Sequence, residues 1–372
     1  MIAGGARHAA PSVDGILTAE QVVATARAIV AMQEPGGAIP FTTDQHADIW
    51  NHVEAAMALL AAGLVEEAER AYAWVLPWQR ADGSWPARVE NGVVSDERGE
   101  SNVSAYLAVG VWHHWLIRRD RSFLEHYWPA VRAGLDWVVA QQLPFGGIAW
   151  TSENRFALLA GCSSIYQSLR AGVALADQMD EPQPEWELSG GRLGHALREH
   201  RDLFEDKSKY SMDWYYPVLG GAVRGPAGSA LLDSKWDEFV VPGLGVRCVN
   251  TNPWVTAAET SELVMVLDAL GEDEMAYELL RDVQLMRDVD GAYWTGWVYD
   301  DANYENEHPN VYWPPEHTTY TAAAIILAVD ALGERHGSST PGSGIMRGTS
   351  LAPDFPELAL ECGCDSETAS LA

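Results

Sequence analysis

The sequence predicts an all-α domain, an (α/α)6 toroid of about six helical hairpins. Two observations support this fold class. Segments with apolar residues at i, i+3, i+4 and i+7 fill most of the chain, and a glycine-containing turn recurs at their ends. The alternating pattern of strands is scarce. Hairpins joined by short Gly/Pro loops fit a closed ring better than an open bundle, and an open solenoid is the structural alternative.

Long segments with the helical pattern are expected to form the main helices. In chain order they are residues 18–32, 48–62, 65–78, 101–117, 122–142, 159–178, 256–270, 273–286 and 318–332. Two shorter segments, 192–203 and 212–221, bring the expected number of helices to about twelve.

The recurring turn lies at the end of a predicted helix. It is found at residues 32–40, 78–85 and 141–150, with a relative at 287–294. In each copy a glycine permits positive φ, and an aromatic residue is expected to fold back onto the helix. Repeats separated by tens of residues indicate stacked supersecondary units.

The 372 residues are divided into three expected regions. Residues 1–16 are expected to be a flexible N-terminal segment, and residues 17–336 one catalytic toroid. Residues 337–372 begin Gly-Ser-Ser-Thr-Pro-Gly-Ser-Gly and have few core residues, so we expect a disordered tail.

The net charge of −29, from 53 acidic and 24 basic residues, argues against nucleic acid or anionic lipid as a partner. A small-molecule substrate is therefore expected. The N-terminus lacks a secretory pattern and no run of about 18 apolar residues occurs, which predicts a cytoplasmic protein without membrane insertion. The four cysteines, Cys162, Cys248, Cys362 and Cys364, have no zinc-site spacing. No cofactor or metal is expected, although an ion held by carboxylates alone would leave no such motif.

Carboxylates and aromatic residues cluster at five predicted helix mouths. The first cluster contains Asp48, Trp50, Asn51 and Glu54. Asp48 alone could be a helix N-cap. That reading leaves the other three unexplained, since residues 50 and 54 share one helix face.

The second and third clusters each contain one notable carboxylate. Glu153 follows Trp150 in a loop before a helix, although a loop glutamate is often only solvated. Asp213 lies beside Trp214 and Tyr215, and core packing would use the rings but not the carboxylate.

The fourth cluster contains Arg247, Trp254 and Glu259, with the arginine as a candidate partner of the glutamate. A capping box between Thr256 and Glu259 is the structural alternative.

The fifth cluster contains Tyr293, Trp294, Trp313 and Glu316. Glu316 precedes the last helix, where a carboxylate is favoured by the helix dipole in any case. Its position after two prolines indicates a rigidly presented group.

Carboxylates among tryptophans suit sugar chemistry. Flat rings stack on sugar faces, while one carboxyl group protonates the leaving oxygen and another activates water. No single pair is specified by its spacing, so the sugar hypothesis depends on the accumulation of such residues.

The chain resembles the six-hairpin toroids, which include the glucoamylase-type glycosidases. Residues 147–176 are similar to that family's stretch in which a general-acid glutamate follows an aromatic residue and precedes a serine-bearing helix. Residues 313–324 are similar to its late base-bearing loop. The resemblance implies that Glu153 is the acid and Glu316 the base. The family's usual Trp-Glu pair is replaced here by Trp150-Thr151-Ser152-Glu153.

A second resemblance is to squalene cyclases and the prenyltransferase-like proteins of actinobacteria. Residues 79–85 resemble the Gln-Trp repeat of that group, and residues 212–217 and 293–296 are similar to segments of its members. The repeat is a structural clamp and supports the fold only. The Asp-x-Asp-Asp acid of the cyclases is absent, and the zinc triad of the prenyltransferases has no counterpart.

The leading hypothesis is a carbohydrate-active, inverting glycoside hydrolase. In it Glu153 and Glu316 are catalytic, four polar residues orient sugar hydroxyls, and tryptophans form the walls of the pocket. The orienting residues are Asp213, Asp48, Arg247 and Glu259, and the walls are Trp50, Trp214, Trp254, Trp294 and Trp313. An isoprenoid cyclase or prenyltransferase, whose rings would stabilise a carbocation, is the second hypothesis. A sugar-binding or scaffold toroid without catalysis is the third.

Overall fold

The computed structural model describes residues 8–301, 309–347 and 355. The α-helices of these residues are α1 (Ala19–Met32), α2 (Ile49–Ala61), α3 (Val65–Val75), α4 (Ser101–Ala105), α5 (Leu107–Arg118), α6 (Arg121–Val139), α7 (Leu159–Met179), α8 (Pro184–Glu199), α9 (Ser211–Leu219), α10 (Gly225–Asp233), α11 (Trp236–Phe239), α12 (Ala257–Leu270), α13 (Asp273–Asp282) and α14 (Thr319–Gly333). The strands are β1 (Arg88–Glu90), β2 (Val93–Asp96), β3 (Val240–Val241), β4 (Gly245–Arg247), β5 (Trp254–Thr256), β6 (Gly296–Val298) and β7 (Val311–Tyr312).

The helices form an inner and an outer set. The inner helices α2, α4 with α5, α7, α9, α12 and α14 are buried along most of their lengths. They are apolar on nearly every side, as helices enclosed by protein are. Each packs against the next, and α14 packs against α2, so that their contacts form a closed cycle.

The outer helices α1, α6, α10 and α13 each pack between two inner neighbours, whereas α3 packs mainly on α2 and α8 mainly on α7. They are amphipathic, with the apolar face turned towards the cycle. In α13, for example, Ala276, Leu279 and Leu280 are buried while the acidic residues of the first turn are not. The helix-rich architecture predicted from the sequence is therefore observed.

The recurring turn is a regular structural unit. Gly37, Gly83, Gly146 and Gly291 have φ between 95° and 99°, a region that favours glycine. Each turn also lies against the backbone of another outer helix. A Cβ atom on Gly83, for example, would lie 2.1 Å from the carbonyl oxygen of Ala133 in α6. Glycine is thus required at this position both for the turn and for the close approach.

A glutamine clamps three of these turns. The Nε2 atom of Gln79 donates to the carbonyl oxygens of Gly83 and of Ala130, both at 2.9 Å. Gln33 and Gln142 make the same pair of hydrogen bonds to their own turn and to a neighbouring outer helix. The clamps tie consecutive outer helices together, which is a structural role.

The predicted aromatic residue is present in only two of the four turns. Trp85 and Tyr293 lie two residues after the turn glycine and are fully buried, whereas Ile39 and Ile148 occupy the equivalent positions. This position in the turn therefore needs a large apolar side chain and does not need an aromatic ring.

A five-stranded antiparallel sheet, in the order β3-β4-β5-β6-β7, was not expected from the sequence. Its strands are two or three residues long, too short to give an alternating pattern. The sheet lies at the start of α12, because β5 ends at Thr256 and α12 begins at the next residue.

Parts of the two expected terminal segments are packed onto the helices. Val13 is buried, and its N–H donates to the carbonyl oxygen of Leu17 at 2.9 Å. The N–H of Thr340 donates to Asp330 at 2.6 Å, and Phe355 packs on Tyr166. Residues 8–16 and 337–347 bury side chains and make hydrogen bonds. They are therefore not flexible or disordered, contrary to the expectation from the sequence. Residues 1–7, 348–354 and 356–372 lie outside the described residues.

Within the described ranges, the helices lack the combination of length and apolarity that a membrane span requires. The same part of the chain contains no group of three or more His, Cys, Asp or Glu side chains placed to hold a metal ion.

Candidate active site

The first turns of the inner helices lie at one end of the cycle, which we call the mouth. Backbone hydrogen bonds join the start of one inner helix to the segment that precedes another. Ser101 of α4 donates to Trp150 at 2.9 Å, Ser211 of α9 to Cys248 at 3.0 Å, and Thr319 of α14 to Phe41 at 2.9 Å. Loops before α2, α7 and α12 are thereby held beside their neighbours.

A row of carboxyl groups crosses this end of the molecule. Its members lie on α2, on α12 and immediately before α4, and they are buried apart from the half-buried first one: Glu100, Asp48, Glu54, Glu262 and Glu259. Repulsion between neighbours raises pKa values along the row: Asp48 acts on Glu100 and on Glu54, Glu262 acts on Glu54, and Glu259 acts on Glu262. Such a concentration of buried carboxyls is typical of a functional site.

Asp48 is the N-cap of α2, as the sequence suggested. Its Oδ1 accepts from the Asn51 N–H at 2.9 Å, and its Oδ2 accepts from the Asn51 side-chain amide at 2.7 Å. Burial nevertheless raises the pKa of Asp48, and the two hydrogen bonds oppose that rise only in part. The His46 ring lies 3.8 Å away. Asp48 is thus both a helix cap and a carboxyl group biased towards its protonated form.

Glu259 lies in the first turn of α12. Its carboxylate accepts a short hydrogen bond from the hydroxyl of Thr256 and a further one from the thiol of Cys248. The predicted capping box is absent, because Thr256 makes no side-chain hydrogen bond to the helix backbone. Both donors instead fix the carboxylate as an acceptor.

Glu54 and Glu262 lie deeper, one to two turns further along the same two helices, at a level that we call the floor. Glu262 accepts hydrogen bonds from three tyrosine hydroxyls, those of Tyr216 at 2.7 Å and of Tyr215 and Tyr320 at shorter distances. Glu54 accepts a long hydrogen bond of 3.4 Å from Tyr106 and another from the Trp50 side chain.

Burial is the main cause of the altered acidity at the floor. It raises the pKa of Glu262 to about 7, with the charge of Glu259 as the next cause and the tyrosine hydroxyls opposing. Burial and the nearby Glu262 raise the pKa of Glu54 well above its usual range. The two groups share one small enclosure, so a single proton between them relieves their repulsion.

The cavity between these two glutamates has a volume of about 10 Å³ and is lined by Trp50, Glu54, Tyr106, Ser164, Gln167, Tyr216, Leu219, Gly220 and Glu262. That is room for one water molecule. A sugar ring cannot enter a cavity of this size.

Aromatic side chains from the five-stranded sheet form one rim of the mouth. The indole N–H of Trp254 donates to the carbonyl oxygen of Trp313 at 2.7 Å, and the two rings meet edge to face at 5.1 Å. Trp294 stacks on Tyr312 at 5.0 Å and also contacts His317. Three of the tryptophans predicted as pocket walls, Trp254, Trp294 and Trp313, therefore lie in this sheet or beside it, and their role as walls stays a prediction.

The opposite rim is formed by charged residues. Arg98 pairs with Asp96 at 2.5 Å and lies 5.2 Å over the ring of Trp150. Glu100 accepts a hydrogen bond from Trp150, and burial raises the pKa of Glu100. This rim was not predicted from the sequence.

Six of the predicted site residues belong to the row or contact it. Asp48, Glu54 and Glu259 are members, and Asn51 holds Asp48 in place. Trp50 lines the floor cavity, and Tyr215 donates to Glu262.

Glu153 is not among them. Its side chain is exposed on a turn, where the Ser152 hydroxyl donates to it at 2.8 Å. That hydrogen bond is the main reason why the pKa of Glu153 lies below its usual value. A general acid needs the opposite shift, which a loop glutamate in water does not acquire.

Asp213 and Trp214 face a different part of the molecule. Asp213 accepts backbone N–H groups of Ala160 and Lys207 and lines a separate cavity of about 300 Å³, and burial raises its pKa to about 6. Trp214 is buried and stacks on Phe239 at 5.4 Å. Both positions anchor α9, which is a packing role.

The remaining predicted residues also have structural partners. Arg247 contacts the Tyr299 hydroxyl at 2.6 Å and Asp301 at 3.4 Å, where pairing with Glu259 was expected. Tyr293 is fully buried in its turn and donates to Gln284. Glu316 is half-buried before α14, and its backbone carbonyl accepts from Thr295.

Sequence reasoning missed Glu262 and its tyrosines. Glu262 lies three residues after Glu259 and so on the same face of α12, which was a usable signal. Tyr215 and Tyr216 of α9 and Tyr320 of α14 could not be linked to it, because only the packing of three helices brings them together.

Comparison with known proteins reveals a close relative. The chain is 52% identical over 360 residues to an MMP endo-(1,4)-3-O-methyl-alpha-D-mannosidase of Mycolicibacterium hassiacum, and the match covers 96% of this chain and 97% of that protein. No protein-family model matches the chain.

Solved structures support the fold at lower sequence identity. A glycosidase in complex with glucose has a TM-score of 0.63 and 15% identity, and the match covers 86% of this chain and 97% of that one. A D-mannose isomerase has a TM-score of 0.59 and 12% identity, with 84% and 97% covered. The helix-rich fold is therefore glycosidase-like.

Proposed function

The chain belongs to the family of the MMP endo-(1,4)-3-O-methyl-alpha-D-mannosidase and is a carbohydrate-active, glycosidase-like enzyme; from that premise we propose that it cleaves internal α-(1,4) bonds of a 3-O-methylmannose polymer. The 52% identity over 96% of the chain carries this proposal. We also propose that the cycle of inner helices with its outer partners is an (α/α)6 toroid, because each inner helix contacts the next and α14 contacts α2.

Asp48 and Glu259 are the proposed catalytic pair. They lie at the mouth, above a floor cavity of about 10 Å³ that is too small for sugar. Asp48 is the general acid, because burial raises its pKa and so favours the protonated form. Glu259 is the general base, because Thr256 and Cys248 both donate hydrogen bonds to its carboxylate. Asp48 and Glu259 thus take the acid and base roles that the sequence analysis had given to Glu153 and Glu316.

The reaction then needs one proton transfer at each end. Asp48 protonates the glycosidic oxygen while the bond from that oxygen to the anomeric carbon breaks. Glu259 takes a proton from a water molecule that attacks the same carbon from the other side, so the product has the inverted configuration. Trp254 and Trp294 offer flat faces for the neighbouring sugars.

An isoprenoid substrate is less well supported. A cation-stabilising pocket would be lined by rings alone, whereas the end of the molecule where the substrate would bind contains five carboxyl groups of which four are buried. The relative that covers almost the whole chain is a mannosidase.

The test is incubation of the purified chain with an α-(1,4)-linked 3-O-methylmannose oligosaccharide, followed by mass spectrometry of the products. We expect mixtures of shorter oligosaccharides from internal cleavage, and proton NMR of fresh products should detect the β-anomer first. Intact substrate, or release of single sugars only, would contradict the proposal. The Asp48→Asn variant serves as the inactive control.

A further inference from the structure

An apolar ridge projects from β7 and the residues that follow it. Val311, Trp313 and Pro315 are exposed, whereas the intervening Tyr312 and Pro314 are partly buried. The three exposed residues therefore lie in a short segment that begins in β7 and continues beyond its end. The Trp313 side chain is 52% exposed, and Val311 is 39% exposed. We call these three residues the ridge.

The ridge is held rigidly from below. The N–H of Trp313 donates to the carbonyl oxygen of Gly296 at 2.9 Å, and its own carbonyl accepts from the Trp254 indole. A Cβ atom on Gly296 would lie 2.3 Å from that indole nitrogen, so only glycine lets Trp254 lie there. Gly296 thus permits the position of Trp254, which in turn supports Trp313.

The other face of the same segment is fully used in packing. Tyr312 stacks on Trp294, meets Trp297 edge to face at 4.9 Å, and donates to the carbonyl oxygen of Leu285 at 3.0 Å. Tyr312 is fixed inward at the end of β7, and the next side chain, Trp313, lies outward. The exposure of this indole is therefore built into the sheet.

The segment that follows the ridge joins it to the mouth. The chain runs from Pro315 through Glu316 and His317 to Thr318, the N-cap of α14. The carbonyl oxygen of His317 accepts from the Thr42 hydroxyl at 2.9 Å, which ties this segment to the loop before Asp48. A polymer lying at the mouth would reach the ridge without leaving the protein surface.

The chemistry of the ridge fits a neutral and partly apolar chain. Valine, tryptophan and proline offer no charge, and the protein carries −29 overall, which disfavours anionic partners. Flat indole faces bind sugar rings through their C–H groups, and a methyl ether in place of a hydroxyl increases that contact.

We propose that Val311, Trp313 and Pro315 form an outlying sugar-binding subsite that holds the methylated polymer beyond the point of cleavage. This inference rests on the proposed function. It explains why an enzyme acting inside a chain would retain an exposed tryptophan at its rim.

The experiment compares kcat/KM for long methylmannose chains and for the shortest oligosaccharide that is cleaved. Trp313→Ala should lower kcat/KM on long chains by about tenfold and leave the short substrate within about twofold. Equal losses on both substrates, or none on long chains, would overturn the proposal.

Matched controls separate the ridge from general surface effects. Val311→Ala should weaken action on long chains slightly, whereas Val289→Ala, at a fully exposed valine in the turn after α13, should not. Sedimentation checks another occupant: a dimer of wild type that dissociates in Trp313→Ala would show that the ridge binds a second copy, and would overturn the proposal.

Failure of the proposed function would be recognised separately. If wild type cleaved no methylmannose chain of any length, that function would be wrong. Electrophoresis in gels containing the polymer would then test the ridge alone. Retardation of wild type but not of Trp313→Ala would support the subsite, and equal mobility would contradict it.

Discussion

The mouth and the floor of the site contain similar residues in different surroundings. α2 contributes Asp48 to the mouth and Glu54 to the floor, and α12 contributes Glu259 and Glu262 in the same way. At the floor, three tyrosine hydroxyls surround one carboxylate beside a cavity for a single water molecule. At the mouth, the carboxyls lie beside tryptophan rims. Burial raises the pKa of Asp48 at the mouth as well as those of Glu54 and Glu262 at the floor, so in the proposed mechanism only room for substrate distinguishes catalytic groups from supporting ones.

The largest expected effect is at the mouth. Asp48→Asn and Glu259→Gln should each lower kcat by roughly 10²- to 10⁴-fold, because each removes one proton transfer. Asparagine still caps a helix, so Asp48→Asn should leave the stability of α2 almost unchanged.

Leaving groups of different acidity assign the two roles. A substrate with a strongly acidic leaving phenol needs no general acid, so Asp48→Asn should recover most of its activity on it and Glu259→Gln should not. The reverse pattern would exchange the roles, and undiminished activity in both variants would remove the pair from the mechanism.

The next effect concerns the floor. Glu262→Gln should lower the free energy of unfolding by about 3 kcal/mol, because an amide cannot accept as many hydrogen bonds from the surrounding tyrosine hydroxyls. Glu54→Gln should cost less than about 1 kcal/mol, since an amide resembles a protonated carboxyl. Urea unfolding of both variants measures the difference, and equal costs would refute the unequal roles.

Stability should also depend on pH through the floor. The pKa of Glu262 rises from 4.5 to about 7 on folding. A carboxyl that binds its proton more tightly when folded stabilises the protein below pH 4.5, and this stabilisation is lost as the pH rises to about 7. Wild type should become less stable across this range, by on the order of 1.4 kcal/mol for each pKa unit of the shift.

In Glu54→Gln that pH dependence should be weaker, because one titrating carboxyl and its repulsion of Glu262 are both gone. Urea unfolding at several pH values gives the slope for each protein. Identical slopes in variant and wild type would mean that Glu54 does not share a proton with Glu262.

The smallest effect is expected from a supporting hydroxyl. Thr256→Val removes the donor to Glu259 and should lower kcat about tenfold, with little change in KM or in melting temperature. Thr256→Ser keeps the hydroxyl and should restore most of the rate. If Thr256→Val lowered the melting temperature and left kcat unchanged, Thr256 would have only a structural role where β5 meets α12.

Much of the fold could be predicted from the sequence because it is encoded locally. Amphipathic periodicity gave the long helices, and the Gln and Gly of the turn gave the clamps seen at Gln79 and Gly83. Helix α10 was missed because its Gly-Pro-Ala-Gly start lacks a helical pattern. The sheet was missed because strands of two or three residues show no period.

The site was less predictable because its parts come from separate helices. Asp48 and Glu54 were recognised since they accumulate with Trp50 at one helix start. Asp213 has the same local signature, an acid among aromatic rings, yet backbone N–H groups hold it at a different surface. Sequence neighbours suggest which residues are unusual, and packing decides which of them meet.

The most direct test of the account is a crystal structure of Asp48→Asn with a 3-O-methylmannose oligosaccharide bound. We predict that a glycosidic oxygen lies within hydrogen-bond distance of the side-chain amide at position 48. Glu259 should lie on the opposite face of the sugar, and the oligosaccharide should extend to Trp313. An oligosaccharide bound beside Glu153, or in the cavity that contains Asp213, would contradict it.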